Sequence, residues 1–338
     1  MKAFVVTGPQ IFELQEVASP VAGTGEVVVE VNRVGVCGTD VEFFNGTMPY
    51  LHDGQAKYPM RIGHEWTGRV IQVGEGVDSK LIDRRFIGDV MLGCGTCKRC
   101  QSGRQHTCAT RFEVGIRNGW SGALAEQLVV PARFLHEIPD SFDDTIGALV
   151  EPGANAWRVA DAAQAQPGKN ILIWGTGTIG LLTAQFCLAM GANVHMVGKD
   201  PVTIKLALEI GVASAGESVI EIAGGYDAVI DATFDNKVPS KLVDLVEPGG
   251  RVVLIGVDNN PALLDSRTLV FKDLTVLGIL SGSPGLAHSI EFIKSGRIDP
   301  RIIVGATVGL GEVGKVFLGT RPVGAGPGPK ILVDPKKF

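Results

Sequence analysis

Four cysteines fall within fifteen residues, in the stretch Cys94-Gly-Thr-Cys97-Lys-Arg-Cys100 and then Cys108. Four thiolates at that spacing on a polar, glycine-containing loop suit a closed tetrahedral zinc site, which fastens a lobe and leaves no open position for chemistry. The loop offers no core in which four free thiols would be buried. Zinc ribbons that bind nucleic acid use comparable spacings. The surrounding chain is much longer than a ribbon, however, and its net charge of -5 argues against a broad nucleic-acid surface. Further donors stand outside this loop, in Cys37-Gly-Thr39-Asp40, Gly63-His64-Glu65 and Glu151-Pro152. A lone Cys or His is usually structural. Together these segments supply a thiolate, an imidazole and carboxylates to one metal, with a position left for water or substrate.

A third pattern, Ile171-Leu-Ile-Trp-Gly175-Thr-Gly177-Thr178-Ile179-Gly180, reads as a buried strand, a tight turn and a helix start, the helix carried on by apolar residues 181–190. Gly175 makes the turn, Gly177 lets backbone approach a pyrophosphate, and Gly180 lets the helix pack on the sheet. A phosphate there would meet unpaired N–H groups at the positive end of the helix. A glycine triplet alone is weak evidence, but the strand before it and the helix after it make a dinucleotide site the better reading, with Thr178 and Ile179 completing the turn.

These sites need two scaffolds, and 338 residues favour two domains. Residues 1–36, 66–74 and 123–130 alternate β-branched residues with Gly and Pro, the pattern of short antiparallel strands. After about residue 149, strands expected at 171–174, 194–197, 228–230, 252–255 and 275–277 alternate with helical stretches, which implies a doubly wound parallel sheet. We therefore divide the chain into a mostly β domain over 1–150, a dinucleotide domain over 151–285 and a glycine-rich segment over 286–338 that returns to the first. No apolar run is long enough to span a bilayer, no signal-length segment opens the chain, and clustered cysteines suit a reducing compartment, so the expectation is a cytoplasmic protein.

With these motifs in this order, the sequence resembles the zinc-dependent medium-chain alcohol and polyol dehydrogenases over essentially its full length. The resemblance implies an α/β fold: a GroES-like catalytic domain carrying a structural-zinc lobe, a Rossmann coenzyme domain, and a cleft between them for the catalytic zinc. It makes Cys94, Cys97, Cys100 and Cys108 the structural ligands, Cys37 and His64 catalytic ligands, and Glu65 a direct or intermittent one. Glu151 stands where many members have cysteine and the sorbitol- and threonine-dehydrogenase-like branch has glutamate. Thr39 is similar to the family's proton-relay hydroxyl, although a threonine here also suits a turn, and Asp40 is expected to accept the second imidazole N–H of His64. The implied reaction is hydride transfer between a secondary alcohol, polyol or sugar and NAD(P), with zinc acting as Lewis acid on the alcohol or ketone oxygen.

Counted against the family pattern, the acidic position at the end of the second strand of the coenzyme domain falls on Gly198, followed by Lys199 and Asp200. Without a carboxylate for the ribose, and with a lysine able to meet a 2′-phosphate, NADP is favoured and NAD remains possible. Asp200 is the alternative ribose acceptor. The resemblance also implies a homodimer or homotetramer paired near residues 276–279, and the charge and the apolar runs lead us to expect neither nucleic acid nor membrane as a partner. Substrate identity rests with the loops at 43–57, 112–120 and 280–286. The rival reading is a catalytically inactive, zinc-stabilised binding or regulatory protein on the same fold, against which the intact Cys37, Thr39, His64 and Glu151 speak. A zinc-free reductase of the same superfamily would need none of the ligands.

Overall fold

The computed structural model describes residues Met1–Phe338. By contact the chain divides into two compact units, one made of Met1–Glu151, Val304–Gly326 and Lys330–Phe338, the other of Pro152–Ile303 and Pro327–Pro329.

The first unit is built on the ten-residue strand Glu26–Gly35. Val27, Val28, Val29, Val31 and Val34 in it are buried, and β-branched side chains of this kind favour a pleated, enclosed strand. It pairs antiparallel with Glu65–Val73, Gln127–Pro131 and Lys330–Asp334 in a seven-stranded sheet. Phe4, Phe43, Phe44, Trp66 and Phe317 fill the core beside it. The strand expected over 123–130 forms only from Gln127. The two residues at its expected start instead bond the turn before His64, Ala123 N–H to Gly63 O at 2.8 Å and Leu124 N–H to Ile62 O at 3.0 Å. The C-terminal strand Lys330–Asp334 pairs in parallel with Val304–Gly309, which brings the chain end back beside the start of the fold.

The second unit holds a six-stranded parallel sheet in the order Ser214–Gly216, Asn193–Val197, Asn170–Trp174, Tyr226–Asp231, Val246–Leu254, Thr275–Gly278. In chain order this is 3-2-1-4-5-6, the doubly wound dinucleotide-binding arrangement, whose ligand crevice lies where the winding reverses beside the first strand. Five of the six strands were legible as apolar runs. Ser214–Gly216 was not, because its three small residues carry no hydrophobic pattern; they pair through backbone with His195, Met196 and Val197, and Ser214 Oγ meets His195 Nδ1 at 2.8 Å. The unit extends to Ile303, beyond residue 285. Leu286, Ile290 and Ile293 of the helix Leu286–Lys294 are buried, and Phe292 packs on Phe186 at 5.3 Å between ring centroids. No helix is long and apolar enough to cross a membrane.

Candidate active site and metal centres

Cys37 caps the helix Gly38–Asn45 at the end of the long strand, and His64 and Glu65 stand where the neighbouring strand begins. Donor atoms of Cys37, His64 and Glu65 all lie within 4.8 Å of one another. Asp40 holds the two backbones together. It is fully buried, and its carboxylate accepts from Cys37 N–H at 2.9 Å and from Gly63 N–H at 3.0 Å. The oxygen used for Gly63 is also 3.4 Å from His64 Nδ1, while Nδ1 itself makes no hydrogen bond. Burial works against charge on His64, but Asp40 and Cys37 outweigh it and hold the imidazole pKa well above its usual value. The pocket is thus organised around negative potential, and a thiolate, an imidazole and a carboxylate with one further position fit a zinc ion.

Sequence reasoning missed Lys330. Its ammonium pairs with Glu65 and donates to Val36 O at 2.8 Å, with both side chains almost fully buried. Burial opposes its charge, yet Glu65 and then Cys37 hold the lysine pKa above its usual range. Gly35 makes room for the pair, since a Cβ there would fall 2.0 Å from Glu65 Oε2 and 3.0 Å from Lys330 Cε. A lysine opening an apolar strand is the only local signal, and nothing local ties it to Glu65. Glu151, on the helix Asp144–Ala162, is buried and stands outside the three-donor group. Thr39 is half-buried on the first turn of the Gly38–Asn45 helix.

The four loop cysteines converge within 4.8 Å of one another. Cys94 and Cys100 sulfurs are 3.9 Å apart, Cys97 and Cys108 sulfurs 3.8 Å apart, far beyond a disulfide. Gly93 permits the turn, because a Cβ there would sit 2.8 Å from Cys100 Sγ. Hydrogen bonds from Thr96 and from Cys97 N–H lower the Cys94 thiol to about 5, whereas desolvation raises Cys100 to about 12. Four sulfurs packed so tightly cannot all ionise without a cation among them, which is the behaviour of a metal cage.

In the second unit Gly175 adopts φ 119°, Gly177 caps the helix Thr178–Ala189, and a Cβ on Gly180 would lie 1.9 Å from Gly175 O. A Cβ on Gly177 would meet open space. Only glycine suits the first and third positions, for conformational and steric reasons respectively, while the second leaves the helix N-terminus bare. Asp200 caps the helix Pro201–Ile210, one carboxylate oxygen accepting from Val202 N–H at 3.0 Å. Lys199 is exposed and 3.4 Å from Asp235. Gly198 sits against Thr176, so that a Cβ on it would fall 2.2 Å from Thr176 Oγ1 and 2.6 Å from Cγ2.

A dinucleotide crevice on one unit and a zinc-type donor set on the other define a nicotinamide-dependent, zinc-using oxidoreductase. Comparison with known proteins carries this to the family. Residues 23–140 match the alcohol dehydrogenase GroES-like domain, and residues 178–295 the zinc-binding dehydrogenase domain. An L-threonine 3-dehydrogenase from Anaeromyxobacter dehalogenans is 30% identical over 293 residues, covering 82% of this chain and 83% of the relative. The crystal structure of an alcohol dehydrogenase, rspB, from Escherichia coli with NADH superposes at TM-score 0.89 with 26% identity, covering 100% of this chain and 99% of the other. A zinc-binding dehydrogenase from Sinorhizobium meliloti bound to NADP superposes at TM-score 0.88 with 28% identity, covering 99% of both chains. The chain belongs to the zinc-dependent medium-chain alcohol and polyol dehydrogenase family, and it is an NAD(P)-dependent oxidoreductase.

Proposed function

We propose that this chain interconverts a secondary alcohol, polyol or sugar with its carbonyl form, using Cys37, His64 and a glutamate as ligands of a catalytic zinc. The observation that carries the reading is the convergence of Cys37, His64 and Glu65 around buried Asp40. The zinc supplies Lewis acidity at the oxygen undergoing reaction. The chain does the rest. Asp40 fixes the Cys37 and Gly63 backbones, Lys330 pairs with Glu65 and orients it in a buried setting, and the Thr39 hydroxyl takes the alcohol proton outward. Cys94, Cys97, Cys100 and Cys108 hold a second, structural zinc, and the cytoplasm suits thiols that must stay reduced. Residues 1–151 with the returning C-terminal strands act as the catalytic domain, and the unit ending at Ile303 binds coenzyme at Gly175, Gly177, Thr178, Ile179 and Gly180. A screen of alcohols, polyols and sugars with both coenzymes tests the whole reading, and a fully zinc-loaded protein inactive on every one would overturn it.

NADP is the favoured coenzyme. Gly198 offers no carboxylate to repel a 2′-phosphate, and one oxygen of Asp200 is engaged in capping the following helix. Lys199 adds attraction, although its exposed pairing with Asp235 is worth little and must be given up. A charge-assisted contact of about 1.5 to 3 kcal/mol corresponds to roughly tenfold or greater preference for NADP in kcat/KM. Gly198→Asp alone is not a clean reversal, because the new Cβ collides with Thr176, whose hydroxyl is pinned at 2.7 Å to Thr203. That single change should weaken both coenzymes. Gly198→Asp combined with Thr176→Gly should favour NAD. A wild-type ratio favouring NAD, with Asp200→Ala harming NAD use, would refute this.

The strand Thr275–Gly278 ends the second sheet, and the neighbouring helix Ser266–Phe271 leaves Val270 75% and Phe271 85% exposed. An apolar open edge of this kind is a liability unless covered, and pairing across a two-fold axis covers it. Light scattering at micromolar concentration should give a dimer or tetramer, and Phe271→Glu should shift the mass downward. A wild-type monomer at that concentration rules the pairing out.

A further inference from the structure

Beside the His64 turn lies a cluster that the reaction as described does not use. Arg111, Glu113 and Arg117 sit on the loop whose Gly115 packs on Gly63, a Cβ at Gly115 falling 2.6 Å from Gly63 O. The same loop leads into Ala123 and Leu124, which bond Gly63 and Ile62. Glu113 is buried. Arg111 is fully engaged, donating to Glu113 at 2.7 Å, Cys108 O at 3.1 Å and the Tyr50 hydroxyl at 3.4 Å. Arg117 is not. Its guanidinium lies over the Tyr50 ring at 5.6 Å and comes no nearer than 3.8 Å to Glu113, with its side chain only 14% exposed. Its Nε is sealed from solvent without a partner.

Two guanidinium groups therefore face one carboxylate, and the excess charge rests on the arginine whose side chain makes no hydrogen bond. A guanidinium with a sealed, unpartnered Nε is costly, and a bidentate anion is what its fork geometry matches. Resting on the assignment of Cys37 and His64 as the reaction centre, we propose that Arg117 receives a carboxylate or phosphate on the substrate, so that the enzyme acts on anionic hydroxy compounds, such as sugar acids or polyol phosphates, in preference to neutral polyols. Tyr50 walls the anion site, and the Arg111–Glu113 pair holds Arg117 in place.

The test compares three substrates of one carbon skeleton on the zinc-loaded enzyme: a polyol, the corresponding aldonate and the polyol phosphate. One of the two anions should exceed the polyol at least tenfold in kcat/KM, and which one does so identifies the group read. Arg117→Gln should raise KM for that anion roughly 10- to 100-fold, the loss of a charge-assisted contact, with kcat and polyol turnover little changed. Arg117→Lys should recover part of the loss. Calorimetry provides a readout independent of turnover: the preferred anion should bind wild-type protein with salt-sensitive affinity and bind Arg117→Gln more weakly. A polyol that matches both anions in the wild type overturns the proposal without requiring any variant, as does an Arg117→Gln effect equal across all three substrates. Anion binding through Arg117 without turnover of any substrate would instead uphold the anion site and overturn the reaction-centre assignment.

Discussion

His64→Ala is expected to leave a folded chain whose turnover falls by about a thousandfold or more, since Lewis-acid stabilisation is worth several kcal/mol and every 1.4 kcal/mol is a tenfold change in rate. Zinc content should drop from two per chain to one. The fold should survive because the two backbones at the site are joined by Asp40 and not by the imidazole. The Glu65–Lys330 pair, buried beside it, also remains intact. Asp40→Ala should behave differently. It strands two N–H groups that Asp40 now satisfies, Gly63 N–H in a buried setting, at about 1 to 3 kcal/mol for each that stays unpaired, so stability and activity should fall together. Zinc analysis, circular dichroism and steady-state rates on the two variants separate the cases. A His64→Ala enzyme that keeps both zinc ions and near-normal turnover would remove His64 from the site.

Cys100→Ser should act on stability before it acts on chemistry. Structural zinc sites in small domains bind with about 10 to 16 kcal/mol, and that binding free energy is spent on folding. Within a larger unit, part of the loop would hold without metal, so a loss of about 3 kcal/mol or more is the expected scale. The segment between Cys97 and Cys100 adds little packing of its own, since the helix Lys98–Gln101 has only four residues, none of them buried. Zinc uptake here should release protons, because Cys100 is held up at about 12 and must give up its proton to ligate. Uptake should accordingly weaken as pH falls. Thermal melting of the variant, with proton release measured as wild-type apoprotein is loaded, checks both halves. A Cys100→Ser protein that melts with the wild type and retains two zinc ions would show that the four sulfurs hold no metal.

What the sequence by itself determined was local. The glycine turn and the four-cysteine loop each carry their chemistry within a few residues, so spacing announced them, whereas the segments around Cys37 and His64 counted only when read together and against the family resemblance. The apolar runs of the parallel strands likewise exposed the doubly wound sheet, because strands buried on both faces read as unbroken hydrophobic stretches. What only the tertiary structure decided was long-range. Lys330 reaches Val36 across 294 residues of sequence, and no spacing links it to Glu65. Thr176 restricts Gly198 because two turns from different strands meet there. That Asp200 caps the helix Pro201–Ile210 emerges only from the fold of the turn that carries it. The under-partnered state of Arg117 appears only once Tyr50, from the short helix Pro49–His52 far upstream, is laid against it. In each case the deciding term is a steric or electrostatic contact made when distant backbone segments close on one another. Composition and periodicity carry no record of such contacts, because they describe neighbours along the chain and not neighbours in space.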